Sequence, residues 1–173
     1  MYQEINVFDY AATLLDQIDS GIFLSTQHQN RKNTMTIGWG GITVVWGKPI
    51  FMALVRDCRA TYELLEKQNA FTISVPIQAD LKQALAYCGR HSLRDGDKFN
   101  HCKLTPVQGR KVPAPIVGEA ELHYECQVIY KQTLIESQIP AHIKQRYYTQ
   151  TTANHTMYFG EIVDQYLYHK DPS

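Results

Sequence analysis

The 173-residue chain carries no surplus charge of either sign: 17 lysines and arginines stand against 17 aspartates and glutamates. That excludes a general nucleic-acid binder, whose footprint is a strongly basic face. It also excludes the high-charge, low-hydrophobicity signature of a disordered chain. No run approaches the roughly 18 apolar residues of a membrane-spanning helix. Met1 leads into Tyr-Gln-Glu-Ile with no basic and then apolar leader, so neither membrane nor export is expected. The four cysteines, Cys58, Cys88, Cys102 and Cys126, form no C-x-x-C pair, which removes zinc-ribbon and thioredoxin-like readings. Free thiols without an export signal predict a cytoplasmic location. The 7 histidines contain no H-x-x-x-H pair, so no metal is expected. There is no Walker A sequence and no G-x-S-x-G elbow, and Gly38-Trp-Gly40-Gly41 lacks the later glycine of a dinucleotide fingerprint. Asp95-Gly-Asp97 opens like a calcium loop, but its sixth position is Asn100 and its twelfth is Pro106. No catalytic side-chain set emerges.

What is present is apolar and aromatic. Apolar residues make up 44% of the chain, with 11 tyrosines, 6 phenylalanines and 2 tryptophans, enough for a core. The length predicts a single domain, 1–173. Strand signals dominate. They run over 21–27, 34–46, 49–56, 70–75, 117–134 and 157–169, with alternation clearest at Phe71, Ile73 and Val75. Helices are expected at 60–68, at 79–87 with a capping-box spacing of Asp80 and Gln83, and at 139–148. Many strands and few helices in one small domain predict a mainly β fold, a closed or nearly closed barrel that removes its own edges.

Three segments carry candidate chemistry. Alternation along 33–41 puts Thr34, Thr36, Gly38 and Gly40 on one strand face and Asn33, Met35, Ile37 and Trp39 on the other. The first face is nearly bare backbone, as at a ligand's approach or at a glycine-bent barrel strand. Next, a strand ends at Arg56 and a helix starts within a few residues, near Arg59 and Thr61. Helix starts offer free N–H groups and a positive dipole end, which suit a phosphate when guanidinium groups stand beside them. They are also ordinary helix starts with solvated arginines. Third, the polar loop 88–99 holds Arg90, Arg94 and Lys98 beside an acidic pair that could simply neutralise them.

Together these segments resemble the flavin reductase-like family, and within it the flavoredoxin branch. The resemblance runs from about Ser20 to Gln165. Its anchors are Asn33-x-Met35-Thr36-x-x-Trp39, Arg56 with Thr61-Tyr-Glu-Leu, Arg94-Asp-Gly-Asp-Lys98-Phe99, and His155-Thr-Met-Tyr-Phe-Gly160-Glu161-Ile. Leu93 stands where the family has glycine, and the insert 138–154 is longer than the family pattern.

The resemblance implies an FMN-binding split barrel working as a homodimer, with flavin near the subunit interface. It implies an oxidoreductase that passes electrons from NADH or NADPH through flavin to free flavin or a redox partner. Carried over residue by residue, Asn33, Met35, Thr36 and Trp39 would meet the ring and ribityl chain. Arg56 and Thr61 would hold the phosphate with Arg59 as helper, Lys98 would reach the cofactor from the third loop, and Phe159 would lie near the ring. His155 matches a family position without an assigned role. The lack of a catalytic set is compatible, because flavin supplies its own reactivity. A non-enzymatic FMN carrier or sensor, a pyridoxamine-phosphate-oxidase-like activity on the same fold, and a cofactor-free β-barrel interaction module are the alternatives.

Overall fold

The computed structural model describes residues 1–149 and 153–170, so part of the 138–154 insert lies outside the described residues. In chain order the elements are β1 (Tyr2–Glu4), α1 (Ala11–Ile18), β2 (Ile22–His28), β3 (Arg31–Ile37), β4 (Gly40–Val45) and β5 (Lys48–Arg56). Then follow α2 (Ala60–Gln68), β6 (Ala70–Val75), α3 (Lys82–Arg90), α4 (Lys98–His101), β7 (Pro106–Gln108) and β8 (Pro115–Val117). The chain closes with β9 (Leu122–Thr133), α5 (Ala141–Tyr147) and β10 (His155–Tyr168).

The main sheet is antiparallel in the order β3-β2-β6-β9-β10-β5-β4, with β1 added on β10. Its two ends, β3 and β4, are consecutive in the chain. One segment therefore pairs with β2 on one side of the seam and with β5 on the other, as Phe23↔Thr36 and Met52↔Gly41 record. Across the seam the Leu54 N–H reaches the Trp39 carbonyl at 3.4 Å. The expectation of a mainly β, nearly closed barrel holds, in split-barrel form. Inside, Phe51, Phe71 and Tyr124 form the aromatic centre of a core that also takes in Leu24, Met35, Ile37 and Ile73.

Two local expectations fail for identifiable reasons. The alternation expected along 33–41 does not run through, because the glycine-broken run 34–46 leaves the β3 ladder at Gly38-Trp39 and resumes as β4 at Gly40. Gly40 takes φ +145°, and a Cβ there would lie 2.2 Å from the Met52 carbonyl oxygen. The glycine lets two backbones meet, so the period-two phase is lost and no continuous bare face exists. Thr36 is not bare either: its hydroxyl donates to the Leu85 carbonyl of α3 at 2.6 Å. Likewise α3 begins at Lys82 with no capping box at Asp80, whose carboxylate takes only the Lys82 N–H at 3.3 Å. The box forms instead at Ser92 and Asp95, across a short 3₁₀ turn, where the Asp95 carboxylate accepts the Ser92 N–H at 3.0 Å and the Ser92 hydroxyl accepts the Arg94 N–H at 3.2 Å. The helix α1, the short helix α4 and the edge strand β1 went unread in the sequence.

Candidate functional site

Two adjoining cavities open where β3, the end of β5, the start of α2 and the end of α3 converge. The larger, about 360 Å³, is walled by Met35, Thr36, Gly38, Trp39, Arg56 and His155 among others. The smaller, about 150 Å³, takes in Asn33, Thr61, Arg90, Arg94 and Lys98. Cys58 and Arg59 line both, so the two form one continuous recess.

The smaller cavity gathers cationic side chains at a helix start. The helix α2 begins at Ala60 with Arg59 as an extended N-cap that offers no side-chain cap bond. The Tyr62 N–H is taken by the Arg59 carbonyl at 3.0 Å, while Ala60 and Thr61, the first two helical residues, line the cavity, at the positive end of the helix dipole. The Ser92–Asp95 turn folds the third loop over this helix start. There Arg94 donates to the Cys58 carbonyl at 3.1 Å and pairs with Glu63. Lys98 is only 3% exposed, and its ammonium reaches just two carbonyls, Cys88 at 3.4 Å and His91 at 3.3 Å. Burial holds it down to about 8. Buried cations are normally paired with an acid, but no carboxylate lies in ion-pair contact with Lys98 among the described residues. Burial lowers Arg59 as well, and its guanidinium bonds the Gly89 carbonyl. Beside them Asn33, 2% exposed, donates to the Thr61 hydroxyl at 2.7 Å while its Oδ1 has no hydrogen-bond partner.

The larger cavity is aromatic and carries a neutral imidazole. His155 opposes Arg56 in the β5–β10 register, and Arg56 donates Nε–H to His155 Nε2 at 3.3 Å. That makes Nε2 the acceptor, so Nδ1 carries the proton and donates to the Tyr148 hydroxyl at 2.9 Å. Burial, with the neighbouring Arg56 charge, holds His155 down to about 4. The Trp39 ring lies 4.8 Å from that imidazole and meets the Tyr147 ring edge-on at 5.1 Å. The Tyr147 carbonyl takes Arg56 Nη2 at 2.8 Å. Thus Tyr147 and Tyr148, two residues of the insert, contact the Trp39, Arg56 and His155 side chains that line this cavity.

Of the residues singled out in the sequence, Met35, Thr36, Trp39 and Arg56 meet in the larger cavity, and Asn33, Thr61 and Lys98 in the smaller. Arg59 joins them. Arg56 lines the larger cavity and Thr61 the smaller, and Arg59 between them lines both. Phe159 lines neither cavity. It sits farther along β10, with its ring 5.4 Å from Tyr130 and 6.5 Å from Trp46. Sequence reasoning missed Cys58, Gly89 and the Tyr147–Tyr148 pair. No motif marks them, and they reach the site only through tertiary folding. Among the described residues no three His, Cys, Asp or Glu side chains cluster as a metal ion would need. No helix among them is long and apolar enough to cross a membrane.

The fold is thus a split antiparallel barrel with a cation-lined recess beside an aromatic cavity. The chain belongs to the Flavin reductase like domain family, which it matches over residues 15–173. It is 30% identical to the flavoredoxin of Desulfovibrio vulgaris (Miyazaki F), with 85% of this chain and 68% of that one covered and a TM-score of 0.67. An FMN-binding domain of a flavin reductase-like enzyme from Shewanella baltica shares the fold at TM-score 0.70. There the identity is 18%, over 96% of this chain and 77% of that one. An uncharacterized protein of Pyrococcus abyssi is 26% identical over 137 residues, which is 79% of this chain and 66% of the relative. The chain thus spans about two thirds of the length of that relative.

Proposed function

We propose that this protein binds FMN and works as an oxidoreductase, taking electrons from NADH or NADPH and passing them to free flavin or a redox partner. The observation that carries the reading is Lys98, a buried ammonium with no carboxylate in ion-pair contact among the described residues, beside the α2 N-terminus and Arg59. An unpaired buried cation is stabilised by a ligand phosphate. Asn33, whose buried Oδ1 has no hydrogen-bond partner, belongs to the wall of the same cavity. When bound, FMN would supply the hydride-accepting and electron-donating chemistry. The chain's own residues have the remaining tasks. Lys98, Arg59 and the first turn of α2 would hold the phosphate, with the Asn33–Thr61 bond fixing that turn against β3. Trp39, Met35 and Gly38 would bound the ring slot. His155, neutral at physiological pH, would keep Arg56 oriented while adding no second charge.

The homodimer belongs to the same proposal. The outer face of β5, β10 and β9 carries Met52, Phe159 and Tyr130 in one cross-strand row, with Leu54 and Met157 in the next. Trp46 at the β4–β5 turn is 64% exposed and Tyr130 44%. Large exposed aromatic patches mark interfaces, and Leu54 carries this one to the rim of the larger cavity. Phe159 would meet a flavin ring only across such an interface.

The test is direct. Purified protein should be yellow or should quench FMN fluorescence on titration, and heat should release FMN. Steady-state oxidation of NADH or NADPH with added flavin or ferricyanide should follow. Flavin binding without nicotinamide oxidation would leave a carrier, and a colourless protein that ignores FMN would refute the reading.

A further inference from the structure

Cys58 is exposed, whereas Cys88 and Cys126 are buried and Cys102 is half-buried. It occupies the junction of the two cavities, two residues after Arg56 and one before Arg59, and its own carbonyl takes the Arg94 guanidinium at 3.1 Å. The recess behind it holds the buried Lys98 ammonium, with no carboxylate in ion-pair contact among the described residues, and Asn33, whose Oδ1 has no hydrogen-bond partner. An accessible sulfur therefore stands in the mouth of a pocket that attracts anions. We propose that Cys58 is a site of reversible exchange with small anionic disulfides, and that the mixed disulfide and a phosphate-bearing cofactor exclude each other. The second half rests on the FMN reading; the first does not.

The exchange balances within its two reactants. The Cys58 sulfur, its proton released to water, attacks one sulfur of the incoming disulfide. The new S–S bond forms as the old one breaks, and the electron pair departs on the second sulfur as a thiolate. Cys58 is oxidised and the incoming disulfide reduced, and excess thiol reverses both. The carboxylates of the retained half then lie beside Arg59 and Lys98, in the volume that a ligand phosphate would need. The other thiols do not compete, because burial pushes Cys88 up to about 12 and raises Cys126 and Cys102 as well.

Two disulfide probes of similar size test this: the dianion dithiobis-nitrobenzoate and the neutral dithiodipyridine. At low ionic strength the ratio of their rates at Cys58 should exceed that of free cysteine by about tenfold or more. At roughly half-molar salt the excess should collapse. Peptide mapping should place the fast label on Cys58, and Cys58→Ser should lose the fast phase. Saturating FMN should slow labelling more than about tenfold, and the modified protein should bind FMN at least about tenfold more weakly until reduced with dithiothreitol. A rate ratio equal to that of free cysteine, or a fast phase surviving in Cys58→Ser, would overturn the exchange site. Undiminished FMN binding by the modified protein would overturn the exclusion. If unmodified protein fails to bind FMN, the exclusion and the flavin reading fall together, and the rate ratio still decides the exchange site.

Discussion

The Asn33 side-chain amide donates to the Thr61 hydroxyl at 2.7 Å across 28 residues of sequence, fastening the start of α2 to β3. The bond joins the two sequence segments whose chemistry is otherwise unrelated, and it leaves Asn33 Oδ1 without a partner at the cavity wall. The consequences can be measured.

Removing the Lys98 charge should discriminate between flavins. A charge-assisted contact broken from one side typically costs about 2–5 kcal/mol. Lys98→Met should therefore weaken FMN by well over about tenfold while changing riboflavin little. Arg56→Ala, which empties a position in the other cavity, should affect the two flavins about equally. Fluorescence titration of both ligands against both variants checks this, and a reversed pattern would move the phosphate to Arg56.

FMN affinity should fall as pH rises through the Lys98 transition. Burial holds the free protein's ammonium down to about 8, and an anion beside it raises that value again. Above about 8, binding must therefore take up a proton, and affinity should decline toward tenfold per pH unit. Riboflavin, lacking the phosphate, should show a flat profile over the same range. Parallel declines for both ligands would remove Lys98 from the phosphate site.

Gly38 and Gly40 should respond oppositely to valine. At Gly38 a Cβ meets only the Ile18 carbonyl oxygen, at 3.5 Å, and the backbone is not left-handed. Gly38→Val should fold with an unchanged apo melting temperature and lose flavin, because the side chain fills the slot. Gly40→Val, forced to φ +145° with its Cβ 2.2 Å from the Met52 carbonyl oxygen, should lose the fold. Thermal melts and visible colour of the two variants decide it.

Trp46 should matter to assembly and little to folding. It is largely exposed at a turn where it and Gly47 take φ 54° and 71°. Wild type should sediment as a dimer at micromolar concentration and Trp46→Glu as a monomer with a similar melting temperature. A monomeric wild type would leave the aromatic face without its second copy.

Acid should destabilise the protein from about pH 6.5 downward. His155 is held down to about 4 and His123 to about 3 from an ordinary 6.5, both chiefly by burial, so each is neutral in the fold and protonated when unfolded. The unfolded chain then binds more protons below 6.5, and stability falls with pH until the folded values are reached. His155→Gln should flatten part of that slope and His123 should keep the rest, as urea midpoints across the range would show.

The sequence by itself determined the fold class, most strand positions and eight residues of the recess, Asn33, Met35, Thr36, Trp39, Arg56, Arg59, Thr61 and Lys98. Strand alternation, β-branched runs and the spacing of Asn33, Arg56, Thr61 and Lys98 are local signals, written in adjacent residues. It was silent where one residue's role depends on another far along the chain. Glycines mark the 34–46 run as broken, but nothing local says that its two halves, β3 and β4, close opposite sides of one barrel. Nothing in the third loop's charges separates Lys98 from a solvated lysine; packing under α3 and over the α2 start does that, by removing its water and offering only carbonyls. Arg56 and Thr61 sit five positions apart in sequence yet in different cavities, since β10 captures the first through His155 and β3 the second through Asn33. Patterning sets which elements form, but desolvation and long-range pairing, which only the closed barrel provides, decide what each charge in the recess is free to bind.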